Sequence, residues 1–127
     1  MGSQNNAGAQ CHREDAITIV AQVDLAAYRL ISYAGGYATA AGGGGNDCQG
    51  VSQSAALANE ALAITVEYSE LVECSAPIAQ WDWIKPAADG TGRAAVGSRT
   101  DNCGRALGAT TAAGLVVEVQ ILKHVQP

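Results

Sequence analysis

"SAALANEALAITVEYSELVECS", residues 54–75, is where the choice between helix and strand is made. Its opening, "SAALANEALA" (54–63), is rich in Ala, Leu and Glu, which have good intrinsic helix propensity. A stable helix would also need a wide apolar stripe and a clear capping pattern at its start. The stretch has neither, and it runs straight into Ile64, Thr65 and Val66, whose branched side chains are stiff in a helix and fit a pleated strand. "ALAITVE" (61–67) therefore reads as a strand, "YSE" (68–70) as a turn and "LVECS" (71–75) as the returning strand. At most one short helix is left room for, within residues 54–63.

Outward from there, short β-rich runs alternate with turn chemistry. Upstream lie "AITIVAQV" (16–23), "YRLISY" (28–33) and "YATAA" (37–41), the last two separated by Gly35-Gly36. Adjacent glycines between β-rich runs suit a tight hairpin, because primed turns need positive φ at their centre. "GGGGND" (42–47) reads as an exposed flexible loop and "CQGVSQS" (48–54) as a further strand. Downstream, "WDWIK" (81–85) and "RAAVG" (93–97) flank the reversal "PAADGTG" (86–92), and "GRALG" (104–108) and "LVVEVQILKHV" (115–125) close the chain. Strands so short and so regularly spaced predict an all-β fold, a compact antiparallel β-sandwich or barrel. Residues 1–15 read as a flexible polar arm and 16–127 as a single β domain.

The chain also echoes itself. "CQGVSQSAALANEALAITVE" (48–67) and "CGRALGATTAAGLVVEVQ" (103–120) share an order: Cys, glycine, a short run, an alanine-rich link and a β-rich strand. Two strand–link–strand units packed together would explain this, as would the compositional bias of an alanine-rich chain.

Composition narrows the function. A chain of 127 residues, 48% of them hydrophobic but none Phe, builds one core of small aliphatics with a few Tyr and Trp. A thin core of this kind gains from self-association. The net charge of −5, with seven Lys and Arg scattered singly, argues against nucleic acid as a direct partner, since a nucleic-acid groove needs clustered positive charge. No apolar run approaches the roughly 20 residues of a membrane helix. The amino end, "MGSQNNAGAQCHRED", lacks the basic start and apolar middle of a secretory signal, and Asn6 stands where a myristoylation pattern needs Ser or Thr. The expectation is a soluble chain made in the cytoplasm, with no membrane partner.

Catalytic and cofactor patterns are weak. The glycines at 42–45 lack the Gly-Lys-Ser/Thr of a phosphate loop, no helix follows to aim its amides at an anion, and no βαβ unit surrounds them. Cys11, Cys48, Cys74 and Cys103 contain no CxxC pair, so no local zinc site is encoded. They admit three disulfide pairings, while a reducing cytoplasm favours free thiols acting as small hydrophobes. Cys11 and His12 are adjacent in the polar leader and His124 lies near the other end, which gives no rigid nucleophile–base pair. Glu67, Glu70 and Glu73 would share a helical face, but in strands around a turn they are solvated charges. No calcium-loop pattern occurs. No cofactor and no metal are expected.

"WDWIK" carries the strongest binding signal. In a strand, Trp81 and Trp83 would project from one face and Asp82 and Ile84 from the other. The pair would either close the core or anchor an intersubunit or partner surface, where Trp is enriched; a carbohydrate platform is a third reading.

Taken in order, "YRLISYAGGYATAA", "GVSQSAALANEALAITVEYSELVECSAPI", "WDWIKPAADGTGRAA" and "GRALGATTAAGLVVEVQIL" resemble the small capsid cement, or decoration, proteins of tailed bacteriophages, of the DUF2190 kind. The "GGGGNDC" insertion and the tryptophan pair depart from that pattern. The resemblance implies a β-rich structural protein without catalysis, attached to the outer face of a phage shell, commonly as homotrimers bridging neighbouring capsomers. Its expected partners are the major capsid protein and further copies of itself. Candidate contact residues are Gln10, His12 and Arg13 on the arm, Trp81 and Trp83 on the body, and Gly43 and Gly44 on the loop. The alternative function is a carbohydrate- or host-surface-binding β module using Trp81 and Trp83.

Overall fold

The computed structural model describes residues 16–39 and 44–122. The alternating runs form β1 (Ala16–Val20), β2 (Leu30–Ser32), β3 (Cys48–Ser52), β4 (Ala61–Thr65), β5 (Ser69–Glu73), β6 (Trp83–Pro86), β7 (Ala94–Val96), β8 (Gly104–Ala106) and β9 (Val116–Ile121). They pair antiparallel into a four-stranded sheet, β1-β4-β3-β2, and a five-stranded sheet, β5-β9-β8-β6-β7. The fold is an all-β sandwich.

Residues 54–63 contain no helix. Ala56 instead forms an isolated antiparallel bridge with Leu25, and Asn59, at φ 72°, donates its N–H to the Ala21 carbonyl at 2.7 Å. The alanine-rich link is thus tied across the sheet by its backbone, which satisfies the groups that a helix would have paired internally. The Gly35-Gly36 turn is present: Gly35 sits at φ 94° and Tyr37 returns to bridge Ile31. "YATAA" contributes only that bridge, and residues 40–43 lie outside the described ones.

The loop expected at 42–45 needs correction where it is described. Gly44 and Gly45 are buried and open a 3-10 turn, Gly44–Asp47. Gly45 donates its N–H to Asp101 Oδ1 at 2.8 Å, and a side chain on Gly45 would collide with the Asn102 backbone. These glycines permit a close backbone approach, so they are packed where a mobile loop would be exposed.

The sequence echo is a real structural repeat. Leu25 bridges Ala56 as Ile78 bridges Thr110, and Ile31 pairs with Gly50 as Ile84 pairs with Gly104. Tyr28 (φ 62°) donates its N–H to the Ser52 carbonyl at 2.9 Å, as Trp81 (φ 75°) does to the Ala106 carbonyl at 2.8 Å. Strand orders agree as well: β1-β4-β3-β2 corresponds to β5-β9-β8-β6, with β7 added at the edge. Each unit therefore repeats one backbone plan, 53 positions on from Ile31 to Ile84.

Apolar side chains gather in two clusters. One joins Val72, Cys74, Ile78, Ile84, Ala94, Cys103, Ala106, Val117 and Val119 of the second unit to Leu30, Ala38 and Val51 of the first. The other, of Ala21, Leu25, Ile31, Ala56, Leu62 and Ile64, belongs to the first unit.

Candidate interaction surface

"WDWIK" is not one strand. Asp82 accepts the Ala79 N–H on Oδ2 at 2.9 Å and returns its own N–H to the Ala79 carbonyl at 3.1 Å. That closes a turn with Trp81 in the left-handed region, and β6 starts only at Trp83. The two indoles therefore do not share a strand face. Neither ring closes the core, a role that falls to fully buried Ile84 between them and Pro86.

Trp81 is 55% exposed at the tip of its turn. Trp83 is half-buried, with the Arg105 guanidinium 4.1 Å from its ring centroid. Arg105 also donates from Nε (3.1 Å) and Nη2 (2.9 Å) to the Trp81 carbonyl. One arginine thus stacks on one indole and holds the backbone of the other, which presents the Trp81 side chain on a fixed support. Nothing in "GRALG" announces Arg105 as this partner. Its register opposite Trp83, set by β6–β8 pairing, creates the contact.

A second candidate surface follows β1, which lies at the edge of the four-stranded sheet. Ile17 and Val20 are partly exposed there on opposite faces, Ile17 at the inter-sheet cleft, and Val23 is exposed just beyond the strand. Among the described residues β1 pairs on one side only, with β4, and a strand edge of this kind is a template for another chain.

Beside the shared apolar cluster, the units also meet through a polar network. Arg29 donates from Nη1 to the Thr91 carbonyl at 2.7 Å and from Nη2 to both Glu73 carboxylate oxygens at 3.4 Å, and its guanidinium lies 5.7 Å from the Tyr37 ring centroid. Arg93 meets Glu73 at 3.6 Å and Asp89 at 3.6 Å. The Thr91 hydroxyl and N–H hold the Asp89 carboxyl below its ordinary pKa and tighten the Asp89-Gly90 turn. Replacing Glu73 with Ala is expected to lower stability by about 2–3 kcal/mol in chemical denaturation, because the mostly buried Arg29 and Arg93 lose their shared counter-charge. Glu73→Gln keeps the shape and isolates the charge.

The carboxylates do not converge. Glu70 is fully buried, accepting from the Thr65 hydroxyl at 3.1 Å, while Glu73 faces that polar network and Glu67 lies past the end of β4. No group of three or more His, Cys, Asp or Glu suited to a metal occurs among the described residues. A cleft of about 430 Å³ opens between the sheets, lined in part by Leu30, Val51, Val119, Cys48 and Cys103. Of the remaining candidates, Gly44 packs on Asp101, whereas Gln10, His12, Arg13 and Gly43, together with Cys11 and His124, lie outside the described residues.

No family model and no curated protein match the chain. Among solved structures, it is similar to the N base of the head fiber gp8.5 of bacteriophage phi29, with a TM-score of 0.66 and 17% identity over 86% of this chain and 98% of that one. At that identity the likeness establishes the fold alone.

Proposed function

We propose that this chain is a structural protein of a phage head, bound to the outer surface of the shell as trimers that bridge neighbouring capsomers. The observation that carries this reading is the fold likeness to a head fiber base, which spans nearly all of both chains. The sequence pattern of capsid cement proteins points the same way. Packaged DNA pushes outward and loads the seams between capsomers. A clamp that binds only the closed shell stabilises it by its affinity, and many copies together make modest contacts sufficient.

The surface suits such a task. Trp81, supported by Arg105, is a rigid aromatic anchor of the kind that dominates protein interfaces, and the β1 edge offers backbone pairing to a neighbouring copy. The arm of residues 1–15 supplies a segment to reach the major capsid protein. A glycan platform would need both indole faces open, and Arg105 covers one face of Trp83, so the geometry favours protein docking.

Co-sedimentation of the full chain with purified heads that lack it tests the reading. Saturable binding is expected, with affinity reduced about thirtyfold by Trp81→Ala and reduced by removal of residues 1–15. A chain that stays in the supernatant with intact heads overturns the proposal. Undiminished binding without residues 1–15 removes the arm from the mechanism.

A further inference from the structure

We propose that Cys48 and Cys103 form a dithiol that a peroxide closes into a disulfide, stapling the two sheets together. The two residues belong to different sheets: Cys48 opens β3 and Cys103 immediately precedes β8. The segments leading into them are already in contact. The turn before Cys48 rests on Asp101 and Asn102 through the Gly45 N–H and the close approach at Gly45. Both cysteines also line the same inter-sheet cleft.

Their environments differ in a way that gives each a role. Cys48 is half-buried, whereas Cys103 is buried, and the neighbouring Cys48 thiol, together with burial, holds the Cys103 thiol well above the ordinary thiol pKa. Each S–H is otherwise directed at a carbonyl, Cys48 to Gly50 at 3.7 Å and Cys103 to Ile84 at 3.6 Å. These weak donors are lost on oxidation at little cost. Cys74 is an internal control. It is fully buried, donates to the Val72 carbonyl at 3.9 Å and does not line the cleft.

The cleft admits a small oxidant, and hydrogen peroxide balances the chemistry. The Cys48 thiolate attacks one peroxide oxygen and breaks the O–O bond, giving a sulfenic acid and a hydroxide that takes up the thiol's proton as water. The Cys103 sulfur then attacks the Cys48 sulfur, breaking its S–O bond. The departing hydroxide accepts the Cys103 proton as a second water, so two thiols are oxidised and one peroxide reduced.

The test uses the full chain carrying Cys11→Ser and Cys74→Ser. It is treated with hydrogen peroxide, quenched with catalase and unfolded in guanidinium with N-ethylmaleimide. The expected result is no label on either remaining cysteine, a Cys48–Cys103 linked peptide within one chain, and recovery of both thiols with dithiothreitol. The cross-linked chain should melt about 10 °C higher, because the staple closes a loop of more than fifty residues (48 to 103) in the unfolded state. The same treatment of a chain also carrying Cys103→Ser should leave Cys48 as a sulfenic acid that dimedone traps. Label on both cysteines after peroxide, or linkage only between chains, overturns the proposal.

Discussion

Gly104→Ala is expected to destabilise the fold by about 3 kcal/mol or more, although alanine is the smallest possible addition. A Cβ at this position would collide with the Gln120 carbonyl oxygen and stand 2.8 Å from Val119 Cγ1. The oxygen belongs to β9, which pairs with β8 in the five-stranded sheet, so it cannot swing aside as a side-chain end could. Relief requires the two strands to separate or slip, which exposes the apolar cluster beneath. Gly50→Ala should act alike, since its Cβ would lie 2.5 Å from the Thr65 carbonyl oxygen. Gly36→Ala is the control: its nearest neighbour is Val23 Cγ2 at 3.9 Å, and the substitution should be nearly neutral. Guanidinium denaturation of the three variants checks the ranking. A tolerated Gly104→Ala would mean that β8 and β9 are not packed as described.

Ile84→Ala is expected to cost about 3–4 kcal/mol, the sum of lost burial and a cavity that rigid strands cannot fill. Ile84 is fully buried on β6, flanked in the ladder by Gly104 and Val96. Ile31→Ala, its counterpart in the first unit, should cost a similar amount. The two residues belong to separate clusters, so the double variant should lose about the sum of the single effects, read from equilibrium unfolding. A double variant that loses much less than the sum would show that the two clusters are coupled.

The strands were legible because nothing else could accommodate their residues. Ile64, Thr65 and Val66 overrule the helix propensity of the alanines before them, and Asp89-Gly90 turns where its chemistry requires. The echo between 48–67 and 103–120 was legible for a sharper reason. Gly50 and Gly104 occupy matching places where a neighbouring carbonyl leaves no room for a side chain, so glycine is compelled in both units. Most other matched positions need only be apolar, which leaves a weak trace: Ile31 and Ile84 agree, but Leu25 is matched by Ile78 and Ala21 by Cys74.

One misreading came from a local turn, the others from interactions that span the chain. Trp81 looks like a strand residue until Asp82 is seen to close a turn on Ala79. Gly44 and Gly45 look like a free loop because the atoms that confine them, on Asp101 and Asn102, are more than fifty positions away (45 to 102). Arg105 stacks on Trp83, and Arg29 reaches Glu73, only after the sheets have formed. Local propensity carries no record of such encounters.

The apolar clusters are asymmetric. The second unit's interior is completed by Leu30, Ala38 and Val51 of the first, whereas the first unit's own cluster includes none of the second's residues among those described. Leu30, Ala38 and Val51 are covered by the second unit as much as they cover it, so the halves share this lining. A protease nick or a mechanical pull that opens either half uncovers that lining, while the packing among Ala21, Leu25, Ile31, Ala56, Leu62 and Ile64 stays within the leading half.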